Sequence, residues 1–193
     1  MQLTTRLVIA SALCGVLLFV SGAEASVKVI RKDILYGVRG PSKKEISRQI
    51  SQRGGAKITI SFSRKIDYAL KGPSTCYVRE ARHTLYLVST YPRLEGEASP
   101  KLRKRWNALV SAGKASDKTI AQWAVQVATD SDALTARLSM KNDPSCGRLK
   151  SFVTQRIHSM EQRFEAAKQR HVSEQNGPNG AVGKATAELY KEP

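Results

Sequence analysis

The spacing of apolar residues changes from a mostly strand-like to a helical period close to Pro100 in this 193-residue chain. Before Pro100, apolar and polar side chains alternate, as at Ile58, Ile60 and Phe62, a pattern typical of half-buried β-strands. After Pro100, apolar side chains recur every three or four residues, as they do along one face of a helix. Strands followed by helices predict the α+β class, with a small antiparallel sheet of three or four strands packed against a pair of long C-terminal helices plus one N-terminal helix.

The first half of the chain predicts one helix between two strands. The first strand covers residues 27–38, and the helix begins at a capping box formed by Ser42 and Glu45 and ends at a Gly-Gly pair. The run 75–91 is apolar but interrupted by charged residues. It is therefore either two strands around a bend or one bulged strand.

The second half of the chain predicts three helices. A short one carries Trp106 and ends near Gly113, and a longer one begins at Ser116. A third begins at Asp143, which can cap it, with a proline in the first turn. Beyond His171, glycines, a proline and the lack of apolar periodicity predict a flexible tail.

The N-terminal 25 residues have the features of a secretory signal peptide. Arg6 supplies a positive charge, an apolar run covers residues 7–20, and Ala23-Glu24-Ala25 is a small-x-small cleavage site. The apolar run is too short to cross a membrane, which takes about 20 residues. We therefore expect a periplasmic or secreted protein with no membrane span after cleavage. The predicted organisation is a cleaved signal peptide at 1–25, a single α+β domain at 26–171 and a flexible tail at 172–193.

Only one pair of the three cysteines remains once Cys14 is removed with the signal peptide. Cys76 and Cys146 remain in a compartment that permits disulfides, so we expect them to be bonded to each other. The alternative is a pair of metal-binding or catalytic thiols. Neither cysteine lies in a Cys-x-x-Cys motif, and an exported thiol without a partner tends to oxidise.

The formal net charge is +16 at pH 7, and the signal peptide, with one Arg and one Glu, removes none of it. We therefore expect an anionic partner: an anionic envelope polymer such as a phosphorylated polymer or peptidoglycan, anionic lipid headgroups, or an acidic protein surface. Export and an aromatic content of only 6% argue against nucleic acid.

The densest basic cluster is a candidate site for that anionic partner. Its members are Lys101, Arg103, Lys104, Arg105 and the adjacent Trp106. The alternative is a solvated helix face on which the long Lys and Arg stems cover apolar surface.

Common cofactor and catalytic signatures do not occur in the sequence: there is no phosphate loop, dinucleotide fingerprint or GxSxG elbow. His83, His158 and His171 are scattered and are expected to be exposed or partly exposed on basic faces. Two metal ligands on one helix normally lie three or four residues apart, but His158 and His171 are 13 apart. We therefore predict no cofactor and no metal.

Four segments occur in an order shared with a known family. They are Tyr36-Gly37-Val38-Arg39-Gly40-Pro41-Ser42-Lys43-Lys44-Glu45, then Cys76 with the strand Leu85–Pro92, then Trp106, and finally Cys146-Gly147-Arg148-Leu149. In this order the chain resembles the uncharacterised family of predicted secreted zinc-dependent proteases. The resemblance implies a zincin-like fold with an HExxH helix about ten residues after the tryptophan.

The resemblance places the zinc motif at Ser116-Asp117-Lys118-Thr119-Ile120. In a working site, two histidines one turn apart bind zinc while the glutamate acts as general base. Here Ser116 and Ile120 replace the histidines, Asp117 replaces the glutamate, and Asn176-Gly177 replaces a later histidine-glycine pair. We therefore predict a degenerate member, a pseudoenzyme that lacks catalytic residues and a metal.

The leading hypothesis is a non-catalytic secreted or periplasmic protein that binds and regulates an envelope protein. The natural target is a cell-wall hydrolase that processes peptidoglycan, which this protein would inhibit. One alternative is a secreted zinc metallopeptidase with a rearranged site, using His158, His171 and Asp or Glu ligands. The other is a basic structural protein that binds an envelope polymer. If the degenerate zinc site is real, Ser116, Ile120 and residues 171–176 should meet at one pocket.

Overall fold

The structure is a computed structural model that describes residues 27–40, 42–53 and 55–191. The predicted signal peptide, with its cleavage site and Cys14, lies outside the described residues. Among the helices that are described, none is both long enough and apolar enough to cross a membrane.

Within the described residues, four strands and four helices follow a predominantly strands-then-helices order, which confirms the α+β class. The elements are β1 (Lys28–Val38), α1 (Lys43–Gln52), β2 (Lys57–Lys71), β3 (Thr75–Leu94), α2 (Pro100–Thr135), β4 (Ser139–Met140), α3 (Gly147–Asn176) and α4 (Ala181–Tyr190). The predicted capping box starts α1, because the Ser42 hydroxyl accepts the Glu45 N–H. At the other end of α1, Gly55 adopts a φ of 72° and donates its N–H to the carbonyl of Ile50.

The sheet is mostly antiparallel, but its first strand is an exception to the prediction. The strand order is β1-β3-β2, and β4 pairs with β3. β2 and β4 run antiparallel to β3, whereas β1 runs parallel to it. The reason is that α1 carries the chain to the far edge of the sheet, so the β2–β3 hairpin brings β3 back between the two earlier strands.

The run that the sequence left ambiguous is one bulged strand. In the β2–β3 ladder, Asp67 pairs with Glu80 but the next residue, Tyr68, pairs with Val78. Arg79 is therefore the extra residue of a β-bulge. β3 is the central strand of the sheet and carries Leu85 and Leu87 into the core beneath α2.

α2 is one helix of 36 residues, where the sequence predicted two helices separated near Gly113. A glycine inside a helix costs only about 1 kcal/mol relative to alanine, which packing overrides. That packing lies on both sides of Gly113, since Trp106 and Ile120 are both buried in the core. Ser99 caps the helix by accepting the Leu102 N–H.

α3 begins four residues later than the predicted start, although Asp143 does cap it. The buried Asp143 carboxylate accepts the N–H groups of Arg148 and Leu149, at 3.2 and 2.8 Å. Cys146, which precedes the helix, is joined to Cys76 with a Cα–Cα distance of 5.2 Å, as predicted for this pair. The disulfide lies in an apolar cluster and links β3 to the start of α3.

Helix occupies most of the segment for which the sequence predicted a flexible tail. α3 continues to Asn176, and α4 follows from Ala181 to Tyr190. Leu189 is only 3% exposed and packs in one cluster with Val38, Ile46, Leu94 and Trp106. A helix of ten residues anchored by a single buried leucine has too few apolar positions for its period to be recognised in sequence.

His83 is buried, contrary to the expectation of an exposed histidine. It is 5% exposed, and its Nε2 lies 3.2 Å from Thr135 Oγ1. Burial lowers the pKa of His83, an effect that Asp132 partly offsets and Arg64 reinforces.

This pKa predicts a loss of stability on acidification. Below about pH 6.5, where an unperturbed histidine titrates, the unfolded chain takes up a proton that the folded chain still excludes. The free energy of unfolding should therefore fall as the pH drops from 7 towards the folded pKa. Melting temperatures between pH 8 and pH 5 test this, with His83→Gln as the variant that should show a shallower decline. An equal decline in both proteins would contradict the assignment.

Candidate functional site

The site is centred on a contact between α2 and α3. Ser116 Oγ and His171 Nε2 lie 3.1 Å apart, within hydrogen-bonding distance, although the residues are 55 positions apart in sequence. The His171 ring packs edge-on against Trp123, with ring centroids 5.1 Å apart. Packing and hydrogen bonding together fix the orientation of this imidazole.

A cavity of about 200 Å³ lies beside this contact. Its apolar wall is formed by Ile58, Ile120, Val172 and Val182. Its polar lining is formed by Lys57, Ser116, Asp117, Lys168 and Asn176. Ser116, Ile120 and the end of α3 therefore line one cavity.

Asp117 lies at the inner edge of the cavity and is held by Tyr91 of β3. The Tyr91 hydroxyl donates to Asp117 Oδ2 at 2.7 Å. Burial raises the pKa of Asp117, although the hydrogen bond from Tyr91 partly counters this. Burial, followed by the hydrogen bond to Asp117, raises the pKa of Tyr91 to about 12, so this side chain remains a donor at any physiological pH.

A second cavity, of about 210 Å³, opens on the other side of Asp117. It lies between α2 and the inner face of β1 and β3. Its charged lining is formed by Arg31, Asp33, Lys114, Asp117 and Lys118. Ile58 and Asp117 line both cavities, and we refer to the two together as the cleft.

The charged residues that line the second cavity are three cations and two carboxylates, which leaves a net positive charge. Arg31, Lys114 and Lys118 form no ion pair with any residue that the structure describes. Lys114 is positioned by the Tyr91 ring, with its Nζ 5.3 Å from the ring centroid. In the first cavity, Lys168 is already bound to Glu165 at 3.0 Å.

Metal ligands are not gathered anywhere in residues 27–40, 42–53 and 55–191. No three His, Cys, Asp or Glu side chains form a group there that could hold a metal ion. His158 is exposed and lies on α3 with His171. At a rise of 1.5 Å per residue the two histidines are about 20 Å apart along the helix, too far to share one ion.

The basic cluster proposed from sequence lies away from the cleft. Trp106 is 3% exposed and belongs to the core, so it is not available to a ligand. Arg103 binds the carbonyl of Gly96, and Arg105 binds the carbonyl of Lys191. Lys101 and Lys104 are exposed and make no such contact with the part of the chain that the structure describes, which favours the alternative interpretation of a solvated helix face.

Sequence reasoning missed Tyr91, Arg31, Lys114 and Lys118. The one local signal was the spacing of Lys114 and Lys118, which are four residues apart and therefore on one face of a helix. Arg31 reaches the cleft because β1 pairs with β3, and Tyr91 reaches it because β3 packs against α2; no local pattern reveals either contact.

Comparison with known proteins identifies the family of the chain. Residues 35–177, from the end of β1 to the end of α3, match the model of a family described as bacterial protein of unknown function (DUF922). No curated protein and no solved structure gave a match. The matched range is well over half of the chain and includes Ser116, Asp117, Ile120 and His171. The protein therefore belongs to the DUF922 family of bacterial proteins of unknown function.

Proposed function

We propose that this protein is an exported, non-catalytic binding protein of the cell envelope, built on a zincin-like fold whose metal site has been lost. One observation carries the proposal: Ser116 and Ile120, one helical turn apart, meet the end of α3 at a single cavity. These are the positions at which the resemblance to predicted secreted zinc-dependent proteases requires two of the zinc ligands.

The side chains at these positions support binding rather than metal-dependent hydrolysis. Ile120 offers no lone pair to a metal, and it is 1% exposed in the core. Ser116 already has His171 as a hydrogen-bond partner. Asp117, at the position of the general base, accepts a hydrogen bond from Tyr91 and is thereby directed towards β3. A cavity lined by these side chains, without metal ligands, is suited to binding a partner without cleaving it.

The setting in the envelope rests on the N-terminal segment and on the cysteines. Residues 1–25 have the pattern of a cleaved signal peptide. A buried disulfide between Cys76 and Cys146 is compatible with an oxidising compartment. The partner is an envelope component that carries negative charge, because this strongly basic protein places Arg31, Lys114 and Lys118 in the lining of the cleft. A strongly basic cell-wall hydrolase would be repelled, so an inhibited enzyme would have to present an acidic surface.

Rebuilding the zinc motif tests the proposed origin of the cleft. The variant Ser116→His/Asp117→Glu/Ile120→His should bind one zinc ion per chain, because His171 lies 3.1 Å from the Ser116 hydroxyl and can serve as a third ligand. Metal content after dialysis and calorimetric titration with zinc measure this. The unaltered protein should retain no stoichiometric zinc.

The matched control is the same triple variant with His171→Ala added, which should bind zinc about tenfold or more weakly. Circular dichroism and a melting curve show whether each variant is folded, since Ile120 is a core residue. A folded triple variant that binds no zinc would contradict the zincin-like origin. One equivalent of zinc in the unaltered protein would instead favour the metallopeptidase alternative.

A further inference from the structure

We infer that the cleft binds an extended acidic peptide segment, with one aliphatic side chain in the first cavity and its carboxylates facing Arg31, Lys114 and Lys118 in the second. The inference rests on the proposed function and specifies the chemistry of the partner at that same site. It follows from three properties of the cleft: its charge, its apolar wall and its division into two adjoining cavities.

Charge determines the sign of the ligand. The second cavity brings together Arg31, Lys114 and Lys118 against two carboxylates, Asp33 and Asp117. Asp33 and Asp117 offset part of this charge, but no described residue forms an ion pair with any of the three cations, so the cavity keeps a net positive charge for a ligand. Cations that converge on a concave site attract anions and accelerate their association.

The first cavity determines that the ligand also has an apolar part. Ile58, Ile120, Val172 and Val182 line it. Its volume of about 200 Å³ exceeds that of several water molecules, each of which occupies about 30 Å³ in the liquid. This is enough space for an aliphatic side chain. A wall of branched aliphatic residues gains from contact with such a side chain, whereas a phosphate or a sugar carboxylate would gain nothing from it.

The division of the cleft into two adjoining cavities favours an extended ligand. The two cavities share Ile58 and Asp117, so a ligand that occupies both must pass over this boundary. An extended peptide advances about 3.3 Å per residue and places successive side chains on opposite sides, so a short segment can reach both cavities. Anionic polymers have the charge but lack the aliphatic side chain, and the observations therefore favour the peptide.

Asp117 opposes this ligand and provides a diagnostic substitution. Its carboxylate lies at the boundary between the cavities and repels an acidic peptide wherever it is ionised. Asp117→Asn removes the repulsion while leaving an amide oxygen that can accept the hydrogen bond from Tyr91. The variant should therefore bind the peptide more tightly, an outcome that mere loss of structure would not produce.

Fluorescence anisotropy with the purified full chain and a labelled Glu-Glu-Leu-Glu-Glu peptide tests the inference. Binding should weaken by about tenfold in Lys114→Ala/Lys118→Ala, because both carboxylate-facing lysines of α2 are removed. Binding should also weaken in Val172→Trp, because the larger side chain fills the first cavity. Val172 is 38% exposed, so this substitution should leave the packing of the core unchanged. Asp117→Asn should tighten it.

The matched control is Lys101→Ala/Lys104→Ala, which removes the same charge from an exposed face of the same helix outside the cleft. Its affinity should remain within about twofold of the unaltered protein, because distant exposed charges are screened over about 8 Å at physiological salt. Equal losses in the two double variants would overturn the inference, since binding would then depend on total charge alone. Peptides with Ser in place of Leu, or Gln in place of Glu, should bind more weakly.

Two further outcomes would overturn the peptide as occupant. Inorganic polyphosphate could displace the labelled peptide at a lower concentration than unlabelled peptide does, and bind more weakly to Lys114→Ala/Lys118→Ala. These two results together would assign the cleft to an anionic polymer. If the rebuilt variant binds zinc but the unaltered protein does not bind the peptide, this inference is overturned and the proposed function stays intact. If the unaltered protein binds the peptide but the rebuilt variant is folded and does not bind zinc, the inference is supported and the zincin-like origin is overturned.

Discussion

Replacing Cys76 and Cys146 together by alanine is expected to lower the free energy of unfolding by about 4 kcal/mol. The disulfide links residues 70 positions apart in sequence, and without it the unfolded chain regains the freedom of that long loop. The bond also holds the start of α3 against β3 in a buried apolar cluster that includes Leu149 and Val153. Urea or guanidinium unfolding of the two proteins measures the loss.

A reductant provides the matched control for this prediction. It should destabilise the unaltered protein by a similar amount and leave the alanine variant unchanged. Cys146 has a φ of 59°, a left-handed conformation that costs alanine about as much as cysteine, so this strain cancels in the comparison. A double variant within about 1 kcal/mol of the unaltered protein would show that the bond constrains little.

Local sequence patterns were sufficient for the class of the fold and for the start of α1. Alternation at Ile58, Ile60 and Phe62 reports directly on a strand with one buried face, and these residues do pack on the core beneath α2. The capping hydrogen bond from Glu45 to Ser42 involves residues three positions apart, so its signal is entirely local. Such features depend on neighbours that the sequence itself displays.

The features that sequence missed depend on contacts between distant segments. β1 runs parallel to β3 because the β2–β3 hairpin returns between them, and residue spacing does not encode the order of strands. Gly113 remains helical because Trp106 and Ile120 are both buried on either side of it. α4 forms because its Leu189 packs into a buried cluster with Trp106 and its neighbours. In each case tertiary packing overrides a local preference.

The candidate site divides in the same way. Ser116, Asp117 and Ile120 could be named because the resemblance to predicted secreted zinc-dependent proteases implied a motif of fixed spacing at these positions. Their partners could not, since the His171 contact spans 55 residues and the Tyr91 contact spans 26. The basic cluster near Trp106 was the more prominent pattern in sequence, yet a dense run of charge on a helix mostly indicates a solvated face.

Trp106→Ala is expected to lower the free energy of unfolding by about 3–5 kcal/mol and to leave binding of an acidic peptide to the folded protein unchanged. Trp106 is buried in a cluster with Val38, Ile46, Leu94 and Leu189, so its removal leaves a large cavity between α1, β1, β3 and α4. A residue that bound an anionic partner would show the reverse, with a small loss of stability and a large loss of affinity.

The matched control for Trp106→Ala is the neighbouring pair Lys101→Ala/Lys104→Ala, which should change the free energy of unfolding by less than about 0.5 kcal/mol. Both lysines are exposed on α2, whereas Trp106 on the same helix faces the core. Chemical denaturation measures both variants, and anisotropy on the folded fraction measures the affinity. If Trp106→Ala were as stable as the unaltered protein but bound the peptide about tenfold more weakly, the anionic site would belong to the basic cluster and not to the cleft, because affinity would then depend on a side chain outside it.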